Sequence, residues 1–411
     1  MVAFRNRDAG NGAGYHGDSQ KMNEKSLYLT KIKLKAELDR CLNCRTQPCM
    51  NACPVNCNPH EFIQFAQMQQ WPEAVRTIMR TNPMGQTCGL ICPDKFCMKS
   101  CTRSQIDFPI NIPRVQATIL ENYRNRDVIQ PETSEPNGKR IAIIGAGPAG
   151  LAASAKLAQN GYMVEIFEAS DRIGGALNMI PAERLPHEVI EKDWSFIHDT
   201  ERVSLHLNQK IADPRTLLDA FDYIIIATGE PNCVSLRIPG EDLSISYMDY
   251  LTNREKYRTS GAVAVIGGGN VATDCALTAL RLGASSVEMF IRRRIADMRI
   301  SRPEFLELID HGINLNGMTS PEKIVRNAQG LSLFIHRNVY DGQKWQPLPD
   351  STIELPYFSL VIRAIGSRAD EKLPDDPRMI YAGDCKTGGS TIVETIASDR
   401  AAADLVLEHD S

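Results

Sequence analysis

The chain lacks long hydrophobic runs, carries little net charge, and has no Cys-x-x-Cys pair after residue 44. No run of 18 uncharged apolar residues occurs; the longest candidate, from Ile141 to Leu157, is broken by Gly and Pro and contains Lys156. A membrane-spanning helix is therefore not expected. The net charge of −4 gives no electrostatic reason to expect nucleic acid. The first 25 residues are polar, with Gly10, Gly12 and Gly14 spaced through them and no apolar core of a leader. They read as a flexible arm over 1–25 rather than a secretory signal, and a cytoplasmic location is expected. Tandem repeats of short period and low-complexity segments are absent too. The missing downstream Cys-x-x-Cys removes the redox disulfide of thioredoxin reductase-like enzymes.

What is present is a chain of 411 residues, 43% hydrophobic and 23% charged, enough for two or three domains with their own cores. Twelve cysteines are unevenly spread: nine fall between Cys41 and Cys101, and Cys233, Cys275 and Cys385 are scattered. Disulfides staple small secreted domains that lack a core, so metal or cofactor ligation is the better reading of the cluster. Periodicity predicts helices from Leu27 to Arg40, Pro59 to Met79 and Arg114 to Tyr123, with the cysteine motifs in the turns between them. These make a helical domain over 26–128. A linker follows at 129–139, rich in Pro, Glu, Ser and Asn. Strand and helix then alternate twice, which predicts parallel sheets in an α/β fold.

The first unit contains Ile143-Ile-Gly-Ala-Gly-Pro-Ala-Gly150. Gly145, Gly147 and Gly150 form GxGxxG between a strand and a helix, where free N–H groups and the helix dipole favour a diphosphate. The next strand ends at Glu168, eighteen residues after Gly150 and placed to accept from ribose hydroxyls. The second unit contains Val265-Ile-Gly-Gly-Gly-Asn-Val-Ala272, with Gly267, Gly269 and Ala272 in a GxGxxA form and Asn270 at the head of the helix. Its next strand ends in Arg292-Arg-Arg294 instead of an acid. Arg292 and Arg293 can fork onto a 2′-phosphate, so this site predicts NADPH, with NADH possible. A solvated basic run is the alternative. Two dinucleotide sites suggest one flavin, FAD, and one nicotinamide. Ile380-Tyr-Ala-Gly-Asp384 fits a second flavin contact through Gly383 and Asp384.

These turns, with Gly174-Gly175, Ile180-Pro181, Arg184-Leu-Pro186 and Ile238-Pro-Gly240, resemble the electron-input flavoprotein family over about residues 30–405. That family includes the small subunit of glutamate synthase and the NAD(P)H–FAD part of dihydropyrimidine dehydrogenase. The resemblance implies two Rossmann-like domains behind a helical double [4Fe–4S] domain. It places an NAD(P)H domain, 255–364, inside an FAD domain formed by 140–254 and 365–411, and adds Gly175 and Arg184 to the cofactor contacts. By its pattern Cys41, Cys44, Cys49 and Cys101 hold one cluster. Cys53, Cys92 and Cys97 hold the other, with Gln116 as an amide fourth ligand, while Cys57 and Cys88 are buried and do not ligate. The spacing Cys41-x2-Cys44-x4-Cys49-x3-Cys53 differs from the simple bacterial ferredoxin run and from paired zinc motifs. Met179 and Asp399 replace glycines expected near the flavin, and only 16 residues separate Gly366 from Gly383 where relatives have more.

A flavin mediates between two-electron hydride and one-electron clusters. The resemblance therefore implies an NADPH-driven electron-input subunit; no catalytic side chain is assigned, and Glu304 and Arg302 are candidates for positioning the nicotinamide. The partner is a large catalytic subunit, foremost of dihydropyrimidine dehydrogenase, or alternatively that of glutamate synthase or a ferredoxin-like acceptor. A non-catalytic assembly subunit with a degraded flavin site is the rival from another class.

Overall fold

The computed structural model describes residues 27–129, 133–199, 201–370 and 376–410. The expected arm over 1–25 lies outside them. Among the described residues the first domain holds a one-turn helix at Pro48–Asn51 and five longer ones: α1 (Lys31–Asp39), α2 (Pro59–Gln67), α3 (Trp71–Thr81), α4 (Gly85–Ile91) and α5 (Ile112–Tyr123). Their starts are written in the sequence. Thr30, Asn58 and Asn111 each accept a backbone N–H of the first turn, and proline stands within the first two positions of α2, α3 and α5. The single helix expected from Pro59 to Met79 is instead two. Gln69 takes a left-handed conformation (φ 60°), and Pro72 opens the second helix afresh.

Next come β1 (Arg140–Ile144), α6 (Pro148–Gln159), β2 (Met163–Phe167), α7 (His187–Ile197), β3 (Val203–His206) and β4 (Tyr223–Ile226). After a long excursion the chain returns with β11 (Met379–Tyr381) and α10 (Ile392–Asp410). The sheet order β3-β2-β1-β4-β11 is parallel throughout, the arrangement of a dinucleotide-binding sheet with its switch point at β1. β11 pairs with β4 although about 150 residues lie between them, so this domain is discontinuous in the chain, as expected.

The excursion forms the second α/β unit. Its elements are β5 (Ala262–Ile266), α8 (Asn270–Arg281), β6 (Ser286–Ile291), α9 (Arg302–Asp310), β7 (Asn314–Gly317), β8 (Thr319–Asn327), β9 (Gly330–Tyr340) and β10 (Ile353–Arg363). They lie in an eight-stranded sheet whose main path is β8-β9-β10-β5-β6-β7, parallel from β10 to β7 and antiparallel through β8 and β9. The unit starts earlier than the expected residue 255. Tyr247, Tyr250 and Leu251 are buried in its core, and Ile245 pairs with Ile362 of β10. Apolar burial, not the Gly-rich turn, sets that boundary. The two chain crossings between the units pair with each other: Ser367 and Arg368 form an antiparallel ribbon with Cys233 and Asn232.

One continuous core joins the helical domain to the first α/β unit, running from Leu34 and Ile78 through Ile143 and Leu157 to Val406. A buried ion pair reinforces the joint. Asp193 of α7 accepts from the backbone N–H groups of Gln86 and Thr87 at 3.3 and 2.8 Å and from Arg124 at 2.5 Å. No helix among the described residues is long and apolar enough to cross a membrane.

Candidate functional site

The first Gly-rich turn is shaped by contacts that only glycine permits. A Cβ on Gly150 would lie 1.9 Å from the Gly145 carbonyl oxygen, and one on Gly145 (φ 110°) would lie 2.5 Å from that of Ala227. The turn thus presses α6 onto β1 and β4. Gly147 is the N-cap of α6 with no side-chain cap, and around it only Gly175 comes near, with its Cα 4.0 Å from a Cβ built there. The first N–H groups of α6 therefore face an open cradle between Gly147 and Gly175, which fits a dinucleotide diphosphate. Glu168 follows β2, with Oε2 on the Ala146 N–H at 2.7 Å and Oε1 on the Ser170 N–H at 2.8 Å. On the far side, Asp384 accepts from Ser390 and Thr395 at 2.6 and 3.0 Å. Gly145, Gly147, Glu168 and Asp384 thus stand just past the carboxyl ends of β1, β2 and β11.

Two departures stand in that neighbourhood. Met179 is half-buried and packs against the core of the second α/β unit. Asp399 is wholly buried, and neither carboxylate oxygen has a hydrogen-bond partner among the described residues. Burial, with the Asp384 carboxylate as the second cause, pushes its carboxyl well above the usual range.

In the second unit, Gly267 takes φ 147° against the Ala364 carbonyl, and a Cβ on Gly269, the uncapped start of α8, meets nothing within 4 Å. Asn270 begins α8 and Ala272 is buried behind it. Arg292 and Arg293 follow β6 directly, their carbonyls held by Asn338 (3.1 Å) and Met318 (2.8 Å). Among the described residues neither has an ion-pair partner, whereas Arg294 is tied to Asp297 at 2.8 Å. Sequence reasoning missed Arg299. Its backbone pairs with Gly269 and its N–H donates to Gly268 at 3.2 Å, so a third arginine stands at the turn. Only a tertiary bridge reveals that approach.

Arg184 reaches across to the second unit. It bonds Asp274 of α8 at 2.5 Å and Glu304 of α9 at 3.0 Å, clasping the two α/β units together. Burial raises the Asp274 carboxyl to about 6 despite the guanidinium beside it. Glu304 also closes a capping box with Ser301, while Arg302 is exposed.

The cysteines divide between two pockets. Cys41, Cys44, Cys49 and Cys101 line one, together with His60 and Arg103; Cys53, Cys92, Cys97 and Gln116 line the other. Both pockets are partly open to solvent. Among the described residues no group of three or more His, Cys, Asp or Glu closes tightly enough for a single ion. At least four candidate ligands line each pocket, the number a cubane requires. Burial raises Cys49 to about 11 and lifts Cys41, Cys53, Cys92 and Cys97 above the ordinary thiol range. Such thiols ionise readily only against bound cationic metal. Cys57 and Cys88, expected to stand aside, also line the second pocket. Val393 of α10 completes its wall, so this pocket abuts the FAD unit, whereas residues 41–112 alone line the first.

Residues 18–128 match a family described as dihydropyrimidine dehydrogenase domain II, 4Fe-4S cluster, and residues 139–387 match the pyridine nucleotide-disulphide oxidoreductases. A Salmonella typhi protein named NAD-dependent dihydropyrimidine dehydrogenase subunit PreT homolog is 30% identical over 395 residues, spanning 90% of this chain and 92% of its own. The chain belongs to the electron-input flavoprotein family. It is an FAD- and iron–sulfur-dependent NAD(P)H oxidoreductase. The glutamate synthase [NADPH] small chain of Azospirillum brasilense is 28% identical, spanning 90% of this chain and 87% of its own. In fold, the chain resembles Mycobacterium tuberculosis FprA in complex with NADPH, with TM-score 0.59 at 19% identity over 67% of this chain and 84% of that one. The rival of a non-catalytic subunit gives way to an enzyme in this family.

Proposed function

We propose that this electron-input subunit takes electrons from NADPH and delivers them, by way of FAD and two [4Fe–4S] clusters, to the catalytic subunit of a dihydropyrimidine dehydrogenase. The observation that carries this reading is the sequence of sites in space. A nucleotide cradle lies at β1, a cysteine pocket borders the FAD unit through Val393, and a second pocket lies beyond it. Bound FAD supplies exchange between two-electron and one-electron chemistry. The chain's own residues do the rest. The α6 N-terminus, Gly147, Gly175, Glu168 and Asp384 hold FAD, and Gly267, Gly269, Asn270 and Ala272 admit the nicotinamide dinucleotide. Arg292 and Arg293 select its 2′-phosphate. Cys41, Cys44, Cys49 and Cys101 hold the outer cluster, and Cys53, Cys92 and Cys97 supply three ligands to the inner one. Exposed Leu42, Ile106 and Phe108 near the outer pocket suit a partner's apolar surface.

Relatives are named for both NAD and NADPH, so the arginines support the NADPH choice. The full-length match to the PreT proteins supports the dehydrogenase partner, and the comparable glutamate synthase match supports a second reading. Anaerobically purified protein should be yellow-brown and bleach with NADPH; a colourless, unresponsive protein would sink the proposal. Co-purification identifies the partner. A pyrimidine-reducing subunit supports the first reading, and a glutaminase–synthase subunit the second.

A further inference from the structure

The inner pocket offers more ligands than a cubane needs. Besides Cys53, Cys92 and Cys97 it contains Cys57, Cys88 and Gln116. Cys57 and Gln116 meet at the same place: the Cys57 thiol donates to Gln116 Oε1 across 3.6 Å. Gln116 Nε2 donates to the Gly85 carbonyl at 2.6 Å, which fixes the amide with Oε1 toward Cys57. Cys57 has Thr81 beside it as well as Gln116 and is 2% exposed. A turn between Cys53 and Cys57 aims it inward. Asn56 adopts φ 52° and its N–H bonds the Cys53 carbonyl at 2.9 Å, while Asn58 caps α2 immediately after. The charged neighbours that act on Cys57 include Cys53, Cys97 and Cys92, the three other thiols of the pocket's ligand set. Cys88 sits within α4 beside Asn82, with Asp193, Cys53 and Cys57 as further polar neighbours.

We propose that Cys57, not Gln116, supplies the fourth ligand of the inner [4Fe–4S] cluster, with Gln116 retained beside it; this rests on the two-cluster reading above. A thiolate is an anionic, soft donor, whereas an amide oxygen is neutral and hard, so iron bound to sulfide favours the former. On ligation Cys57 releases its proton to solvent, and one Fe–S bond forms at the fourth iron. No electron moves. The ligand shell carries one more negative charge than with the amide, which lowers the cluster potential.

The test compares the anaerobic holoprotein with C57A, C57S, Q116L and C88A, by iron content per chain, electron paramagnetic resonance and potentiometry. C57A should lose between about an eighth and a half of the iron, with a three-iron signal appearing in the oxidised protein. C57S keeps a ligating oxygen of similar size and should retain iron with a displaced inner-cluster signal. Q116L and C88A should keep full iron and the wild-type signals. Unchanged iron and spectra in both Cys57 variants would overturn the proposal, as would their appearance only in Q116L or C88A. Flavin absorbance in each variant reports whether the FAD unit has folded. A wild-type protein with no iron–sulfur signal would instead overturn the two-cluster reading itself, and the ligand assignment with it.

Discussion

Asp399 sits against the Gly383 turn, where a Cβ on Gly383 would lie 3.5 Å from its Oδ1. A buried carboxylate without partners is costly, so the folded chain keeps the proton that the unfolded chain releases. The folded-state value is raised above the unfolded one, so stability falls as pH climbs from about 4 toward that raised value. Asn has no proton to lose; thermal melts of D399N should therefore show a shallower decline over that window, and an unchanged slope would refute the assignment. Arg292 and Arg293 act on the ligand rather than the fold. Each charge-assisted contact to a phosphate is worth about 1.5–3 kcal/mol. R292A and R293A should raise the KM for NADPH by about ten- to hundredfold and leave that for NADH nearly unchanged in a dye-reduction assay. Equal effects on both nicotinamides would count against a 2′-phosphate role.

At the scale of elements, the two Gly-rich turns separate packing from ligand approach. G150A drives a methyl into the Gly145 carbonyl, with Ile143 Cγ2 also 3.0 Å away. Overpacking of this kind costs about 1–3 kcal/mol, and the FAD-to-protein ratio measured by absorbance should fall. G269A enters open space, so it should keep its FAD and weaken only nicotinamide binding. Both turns were legible in the sequence because strand, glycines and helix are contiguous there. The cysteine motif was legible for the same reason, and its division between pockets followed from the family resemblance. What was hidden depends on distant contacts. The break at Gln69 is a left-handed backbone state that helix periodicity does not register. The early start of the second α/β unit comes from Tyr247, Tyr250 and Leu251 reaching a core built mostly from later residues. The place of Cys57 depends on α5 bringing Gln116 across to it, and that of Arg299 on a bridge to Gly269.

For the whole molecule, the joint between helical domain and FAD unit rests on a shared core and on the buried Asp193–Arg124 pair. Removing one charge from such a pair strands the other, at a cost of about 3–5 kcal/mol. D193N should therefore lower the melting temperature and loosen the helical domain first, seen as faster proteolysis within 27–129; protection equal to wild type would show the apolar core alone suffices. The nested order of thiols has its own consequence. Cys53 and Cys97 of the inner pocket lie between Cys49 and Cys101 of the outer one. Once an inner cluster ties Cys53 to Cys97, the outer ring need close only about eight residue steps instead of some fifty, and closure entropy grows with loop length. Closing either ring shortens the other, so each site is prepared by filling its neighbour. Iron–sulfur loading should therefore be cooperative, and loss of the inner cluster should slow, without abolishing, reloading of the outer one.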